Sequence, residues 1–189
     1  MSTTCAQAVI LVFLVKHNKY LNQTTKPTFA SHTFYEGQRA SQRPAARSLA
    51  MVPLNSTLCK LQNELVEPVV TPRFAVSCDK ELMDGLGSIA KKYDCRIQSH
   101  ISENTSEIDY VLETNPKCKT YGHVYDESGI LTNKCIMAHA VHLTEDELTL
   151  LSSKGVSVAH CPASNTRLKS GLCPVRKIIN ANITVGLGT

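Results

Sequence analysis

The stretch KCIMAHAVHLTEDELTLLSSKGVSVAHC, Lys134–Cys161, holds a strand, a helix and a second strand in 28 residues. KCIMAHAV is short, apolar and bounded by polar residues, so it reads as a strand. TEDELTLLSSKG carries both ends of a helix. Thr144 stands at the N-cap, Glu147 reaches back in capping-box spacing, and Gly155 supplies the left-handed stop. VSVAHC is again strand-like.

The same alternation runs outward from this unit. PVVTPRFAV, from Pro68, reads as a strand. DKELMDGLGSIAKKYD follows, with Asp79 as N-cap and Leu82, Leu86, Ile89 and Tyr93 on one helical face. RIQSHI is a strand, and NTSEIDYVLETN is a helix with Asn104 and Glu107 in capping-box spacing. CPVRKIINAN reads as a helix and ITVGLGT as a fifth strand. Strands alternating with helices imply parallel pairing through crossovers, an α/β class. Strands this apolar imply cover on both faces. The pattern by itself leaves an open sheet and a closed barrel equally allowed.

Composition narrows the function classes. Of 189 residues, 42% are hydrophobic and 19% charged, which is an ordinary globular balance. Aromatics make up only 5% and Trp is absent, which argues against a nucleic-acid stacking platform. The net charge of +4 is uneven. Residues 1–66 carry seven basic and two acidic side chains, a net of +5, and the other 123 carry 13 basic and 14 acidic, a net of −1. Eight scattered cysteines without a C-x-x-C pair read as reduced thiols used as small hydrophobes. AVILVFLV, Ala8–Val15, is too short to span a bilayer and reads as a buried strand. Residues 16–55 show no sustained period and read mostly as loop.

Three successive strands end in histidine: His100, His139 and His160. In parallel α/β proteins, ligands collect at the C-terminal ends of strands. A lone strand-end His commonly caps a carbonyl. Three on one rim make a metal or catalytic site an equal alternative. Glu103, just past His100, is either a solvated helix-start carboxylate or a carboxyl folded back to move protons. Arg73 and Phe74 offer a planar fork and a flat face, and both reach one pocket only if their strand has ended. His139 and His142 would point to opposite faces of a strand, a poor chelate. VGLGT lacks the Lys and following helix of a phosphate loop.

TPRF (Thr71–Phe74), QSHISEN (Gln98–Asn104), MAHAVHL (Met137–Leu143), AHCPASN (Ala159–Asn165) and VGLGT (Val185–Thr189) stand in the order found in guanine deaminases, and the chain resembles that family of the amidohydrolase superfamily. The resemblance implies a (β/α)8 TIM-like barrel, of which residues 65–189 supply approximately strands four to eight. Residues 1–64 form a divergent, partly irregular N-terminal segment. It implies a Zn2+ enzyme that hydrolyses guanine to xanthine and ammonia. By resemblance His100 is a zinc ligand, Glu103 shuttles a proton, and His139 orients and polarises the attacking water. Arg73 and Phe74 hold the purine, next to His100 and Glu103. His160 and Asn165 line or support the site.

The family's H-x-H pair is absent from these 189 residues, and its terminal aspartate lies one residue past Thr189. The chain is therefore expected to be a fragment, inactive alone. The alternatives are another deaminase or chlorohydrolase of the superfamily, or a non-catalytic product that binds the full-length enzyme. The expected setting is cytoplasmic, with a purine as partner and neither nucleic acid nor membrane. Homo-oligomerisation is left open.

Overall fold

The computed structural model describes residues 12–15 and 66–188. The loop reading of 16–55 lies outside these residues. So do Cys5 and Cys59, and the first half of the apolar run, residues 8–11.

Six strands form one sheet in sequence order: β1 (Val12–Val15), β2 (Val66–Val70), β3 (Arg96–Ile101), β4 (Cys135–His139), β5 (Ser157–His160) and β6 (Val185–Leu187). Pairing from β2 to β6 is parallel throughout, as the strand–helix alternation requires. β1 is the exception, running antiparallel to β2 with Val12 opposite Val69.

Among the described residues six helices fill the connections: α1 (Lys80–Tyr93), α2 (Thr105–Thr114), α3 (Tyr121–Glu127), α4 (Glu145–Ser153), α5 (Pro162–Arg167) and α6 (Val175–Asn180). Local signals set their starts. Asp79 accepts from Leu82 N at the head of α1. Complete capping boxes, Asn104 with Glu107 and Thr144 with Glu147, open α2 and α4. Gly155 follows α4 at φ 68°, the left-handed conformation its lack of Cβ allows. The sequence pattern did not disclose α3 or α5. Both are short, and a stretch of one or two turns shows too few repeats for a period.

The strands are not covered equally on both faces, contrary to the sequence reading. Along β3, Ile97, Ser99 and Ile101 are buried, while Arg96, Gln98 and His100 are only half-buried. The buried set faces the helices. The core joins Ile97, Ile101 and Met137 to Met83 and Leu86 of α1, Tyr121 and Tyr125 of α3, Leu151 of α4 and Ile178 of α6. The alternation is that of a barrel wall, with one face under helices and the other lining the interior. The fold is α/β, part of a (β/α)8 barrel. Among the described residues no helix is long and apolar enough to cross a membrane.

Cys78, Cys118, Cys135 and Cys173 are free thiols. Burial pushes the thiol pKa of Cys135 up to about 12 and raises those of Cys78 and Cys173, so these thiols stay protonated and behave as small apolar groups.

Candidate active site

β2 ends at Val70, so the strand expected across Pro68–Val76 stops short of Arg73 and Phe74. The two side chains are thereby released from strand alternation. A turn follows, with the Phe74 carbonyl accepting from Ser77 N (3.1 Å) and Cys78 N (3.2 Å). The exposed Arg73 guanidinium lies over the Phe74 ring, 4.9 Å from its centroid. The Phe74 ring in turn meets the His100 ring edge-on at 6.2 Å. The condition for a shared pocket is met.

His100 sits on the interior face of β3. Its Nδ1 is 2.6 Å from the Arg73 carbonyl oxygen. A carbonyl can only accept, so Nδ1 carries the hydrogen and Nε2 keeps its lone pair free. Burial is the main cause of a lowered His100 pKa, opposed by the Arg73 hydrogen bond, and it favours the neutral ring. A neutral imidazole with a bare Nε2 is the form that binds a metal.

The His139 ring stacks on that of His100, with centroids 5.3 Å apart and planes 23° from parallel. In this buried residue Nδ1 lies 2.8 Å from Asn165 Oδ1 and 3.6 Å from Glu103 Oε1. The shorter contact is the hydrogen bond; the longer one is an electrostatic neighbour. Nδ1–H therefore points at Asn165, and the lone pair of Nε2 is left for another donor. Glu103 Oε1 also accepts from Ser170 Oγ at 3.2 Å. The Glu103 backbone N–H donates to Glu107 Oε2 at 3.0 Å. Glu103 is thus folded back over the strand ends towards His139, not left as a free helix-start carboxylate.

Positive φ angles cluster here, at Ser102 (49°), His139 (73°) and Ala140 (52°). Non-glycine residues adopt this conformation at a cost, and such strain concentrates at functional sites. Hydrogen bonds hold it in place. The Ser102 carbonyl accepts from Val141 N and His142 N, both at 3.1 Å, and Ala140 N donates to the Ile101 carbonyl at 3.0 Å. The backbone has left the strand by Ala140, so the opposite-face argument for His139 and His142 does not apply. His142 instead donates from Nε2 to the Ser170 carbonyl at 2.7 Å.

Arg73, Phe74, His100, Glu103 and His139 thus come together, whereas His160 makes no described contact with them. Its Nδ1 is buried without a hydrogen-bond partner, as is Asn165 Nδ2. VGLGT is the short strand β6 followed by Gly188, whose N–H donates to the His160 carbonyl at 2.7 Å. It serves as backbone packed on β5. Asn165 and Ser170 are the supports that sequence reading undervalued or missed, since their roles depend on contacts 26 and 67 residues away.

No three His, Cys, Asp or Glu side chains among the described residues group closely enough to hold a metal ion. His100 fits as a single ligand, and these residues do not by themselves complete a metal site.

The chain is similar to known proteins. Guanine deaminase of Mus musculus is 51% identical over 124 residues, which cover 66% of this chain and 27% of that protein. The crystal structure of guanine deaminase from C. acetobutylicum, with guanine bound in its active site, superposes with a TM-score of 0.71 at 41% identity. That match covers 75% of this chain and 35% of the other. Atrazine chlorohydrolase from Arthrobacter aurescens, complexed with zinc, matches with a TM-score of 0.59 at 28% identity, over 64% of this chain and 26% of that one. The chain spans about a quarter of the length of the curated relatives it matches. The amidohydrolase family model matches residues 17–189, nearly the whole sequence, and the chain belongs to the amidohydrolase family.

Proposed function

We propose that this chain carries the purine-binding and proton-transfer part of a guanine deaminase, with residues 65–189 as the operative segment. The observation that carries the reading is the stacking of His100 on His139, with Glu103 beside them and the Arg73–Phe74 turn against His100. Zn2+ is the expected cofactor, held in part by His100 Nε2, and when bound it supplies a water acidified towards a pKa of about 7. The further ligands that the family resemblance implies, an H-x-H pair among them, would come from elsewhere in a complete barrel.

The remaining steps belong to side chains described here. Arg73 offers its fork to the carbonyl edge of guanine while Phe74 packs on the ring face. His139 Nε2, its other nitrogen committed to Asn165, orients the attacking water. Glu103 takes a proton from that water and gives it to the ring nitrogen as the water oxygen adds to the amino-bearing carbon. The hydrogen left on the added oxygen then passes, through Glu103, to the amino group. The carbon–nitrogen bond breaks, ammonia leaves, and the new carbon–oxygen bond becomes the carbonyl of xanthine. The superfamily's chlorohydrolases are the second reading. The Arg73–Phe74 pair favours the first, because it suits a flat ring with a carbonyl edge. The cytoplasm is the compartment in which such an enzyme with reduced thiols is expected.

The test places residues 66–189 into Mus musculus guanine deaminase, in place of the matched segment, so that the barrel is complete. In this graft Arg73→Ala is expected to raise KM for guanine roughly 10- to 100-fold, the loss of a charged hydrogen bond worth about 1.5–3 kcal/mol, with a smaller fall in kcat. An unchanged KM, or a triazine preferred over guanine, would count against the reading.

A further inference from the structure

The site residues at the ends of β2 and β3 are joined by one hydroxyl from the helical layer. Tyr125, in α3, is completely buried. Its hydroxyl lies 2.6 Å from the His100 carbonyl oxygen, 3.0 Å from Ala75 N and 3.1 Å from Ser99 Oγ. A phenol has one hydrogen and two acceptor positions. The His100 carbonyl takes the hydrogen, Ala75 N–H fills one acceptor position, and the Ser99 hydroxyl shares its single hydrogen between the phenol oxygen and the Arg73 carbonyl.

Satisfying a buried tyrosine needs only one partner. Besides the Tyr121 hydroxyl at 3.3 Å, three partners come from the two segments that meet at the site. Ser99 Oγ also lies 3.2 Å from the Arg73 carbonyl, the oxygen that accepts from His100 Nδ1–H at 2.6 Å. Ala75 is two residues past that carbonyl. The Tyr125 hydroxyl therefore holds the Arg73–Ala75 segment and the His100 backbone in one fixed relation. The orientation of the His100 ring follows from that relation.

We propose that Tyr125 is a positioning residue that fixes His100 as its Nδ1–H tautomer, with Nε2 bare towards the site, by locking the Arg73–Phe74 turn to the end of β3. The proposal rests on reading His100 as a site residue and deepens that reading. Tyr121 provides an internal comparison. It is equally buried and stacks on Tyr125 at 5.3 Å, and its hydroxyl lies 3.3 Å from that of Tyr125, but its hydrogen goes to Glu107 Oε1 at 2.8 Å and it bonds neither Ala75 nor the His100 carbonyl.

The test is nitrogen NMR of the metal-free 189-residue chain, labelled in its histidine rings, at about pH 8, above the ordinary histidine range. Wild-type His100 is expected to show a protonated Nδ1 and a bare Nε2. Tyr125→Phe should shift most of the His100 signal towards the Nε2–H tautomer and speed hydrogen exchange at Ala75 N–H at least tenfold. Tyr121→Phe should leave the His100 signal as in wild type. Ser99→Ala, which removes the hydroxyl shared by Tyr125 and the Arg73 carbonyl, should give a smaller shift in the same direction. It decides the matter if Tyr125→Phe does not fold. An unmoved tautomer in Tyr125→Phe, or in Ser99→Ala when that variant must decide, overturns the proposal. An equal shift in Tyr121→Phe also overturns it, because softening of the core would then be the cause. The measurement uses neither metal nor guanine, so a graft that fails to deaminate guanine would refute the enzymatic reading and leave this result unaffected.

Discussion

Glu103→Gln in the complete-barrel graft should lower kcat for guanine by about 10²–10⁴-fold, the range expected for removal of a positioned acid–base group. Zinc content and KM should stay within about threefold of wild type. The geometry explains the separation. Gln keeps the shape of Glu and an oxygen that can accept from Ser170 Oγ, so the contact at 3.2 Å survives. It loses the ability to take up and release a proton. Glu103 is not read as a metal ligand, so metal binding should persist. Steady-state kinetics with metal analysis on the same preparations checks this. A fall of less than tenfold in kcat would remove Glu103 from the proton path.

The largest effect on stability is expected at Gly87, on the buried face of α1. A Cβ there would lie 2.0 Å from the Ser128 carbonyl oxygen and 3.2 Å from the Ser128 carbonyl carbon. Both atoms are backbone, so no flexible side chain can swing aside. The neighbouring hydrogen bond from Ser128 Oγ to Asp84 Oδ1, at 2.7 Å, holds the same two segments together. Gly87→Ala must push α1 away from the end of α3 by about an ångström or more, disturbing a core that tolerates little volume change. Overpacking of this kind costs about 1–3 kcal/mol and more where backbone must move, so a loss of about 3 kcal/mol is expected. This outweighs the helix-propensity gain of about 1 kcal/mol from replacing Gly by Ala. Urea denaturation of the 189-residue chain measures it, and a change below about 1 kcal/mol would contradict the contact.

Capping chemistry made much of the fold legible in advance. Asp79, Asn104 and Thr144 each accept from the backbone three residues on, as their positions ahead of apolar periods implied. The five strands from β2 onward lie where apolar runs placed them. β3 shows where pattern reading fell short. Arg96, Gln98 and His100 are polar or half-buried because they line a barrel interior, and a sequence period cannot say what covers each face. The pairing of β1 with β2 was also beyond reach, since about fifty residues separate the strands.

The site divides in the same way. His100, His139, Arg73 and Phe74 were visible as strand-end residues. Whether Arg73 and Phe74 share a pocket depended on where β2 stops, and a strand boundary is weakly encoded in sequence. Nothing near Ser170 or Tyr125 in the chain marks them out. Ser170 reaches Glu103 across 67 residues, and Tyr125 reaches Ala75 across 50. Such partners are set by tertiary packing alone. The His142 argument erred for a local reason, because left-handed residues at His139 and Ala140 end the strand before alternation reaches His142.

Xanthine formation from guanine, with zinc supplied, by the 189-residue chain and by the graft side by side tests whether these residues form part of a guanine deaminase site that other strands must complete. Turnover and about one bound zinc per chain are expected for the graft. For the 189-residue chain alone no turnover above background is expected, because His100 without further ligands cannot hold the ion in a four-coordinate site. A folded, zinc-loaded graft that leaves guanine unchanged, or robust turnover by the isolated chain, would contradict this reading.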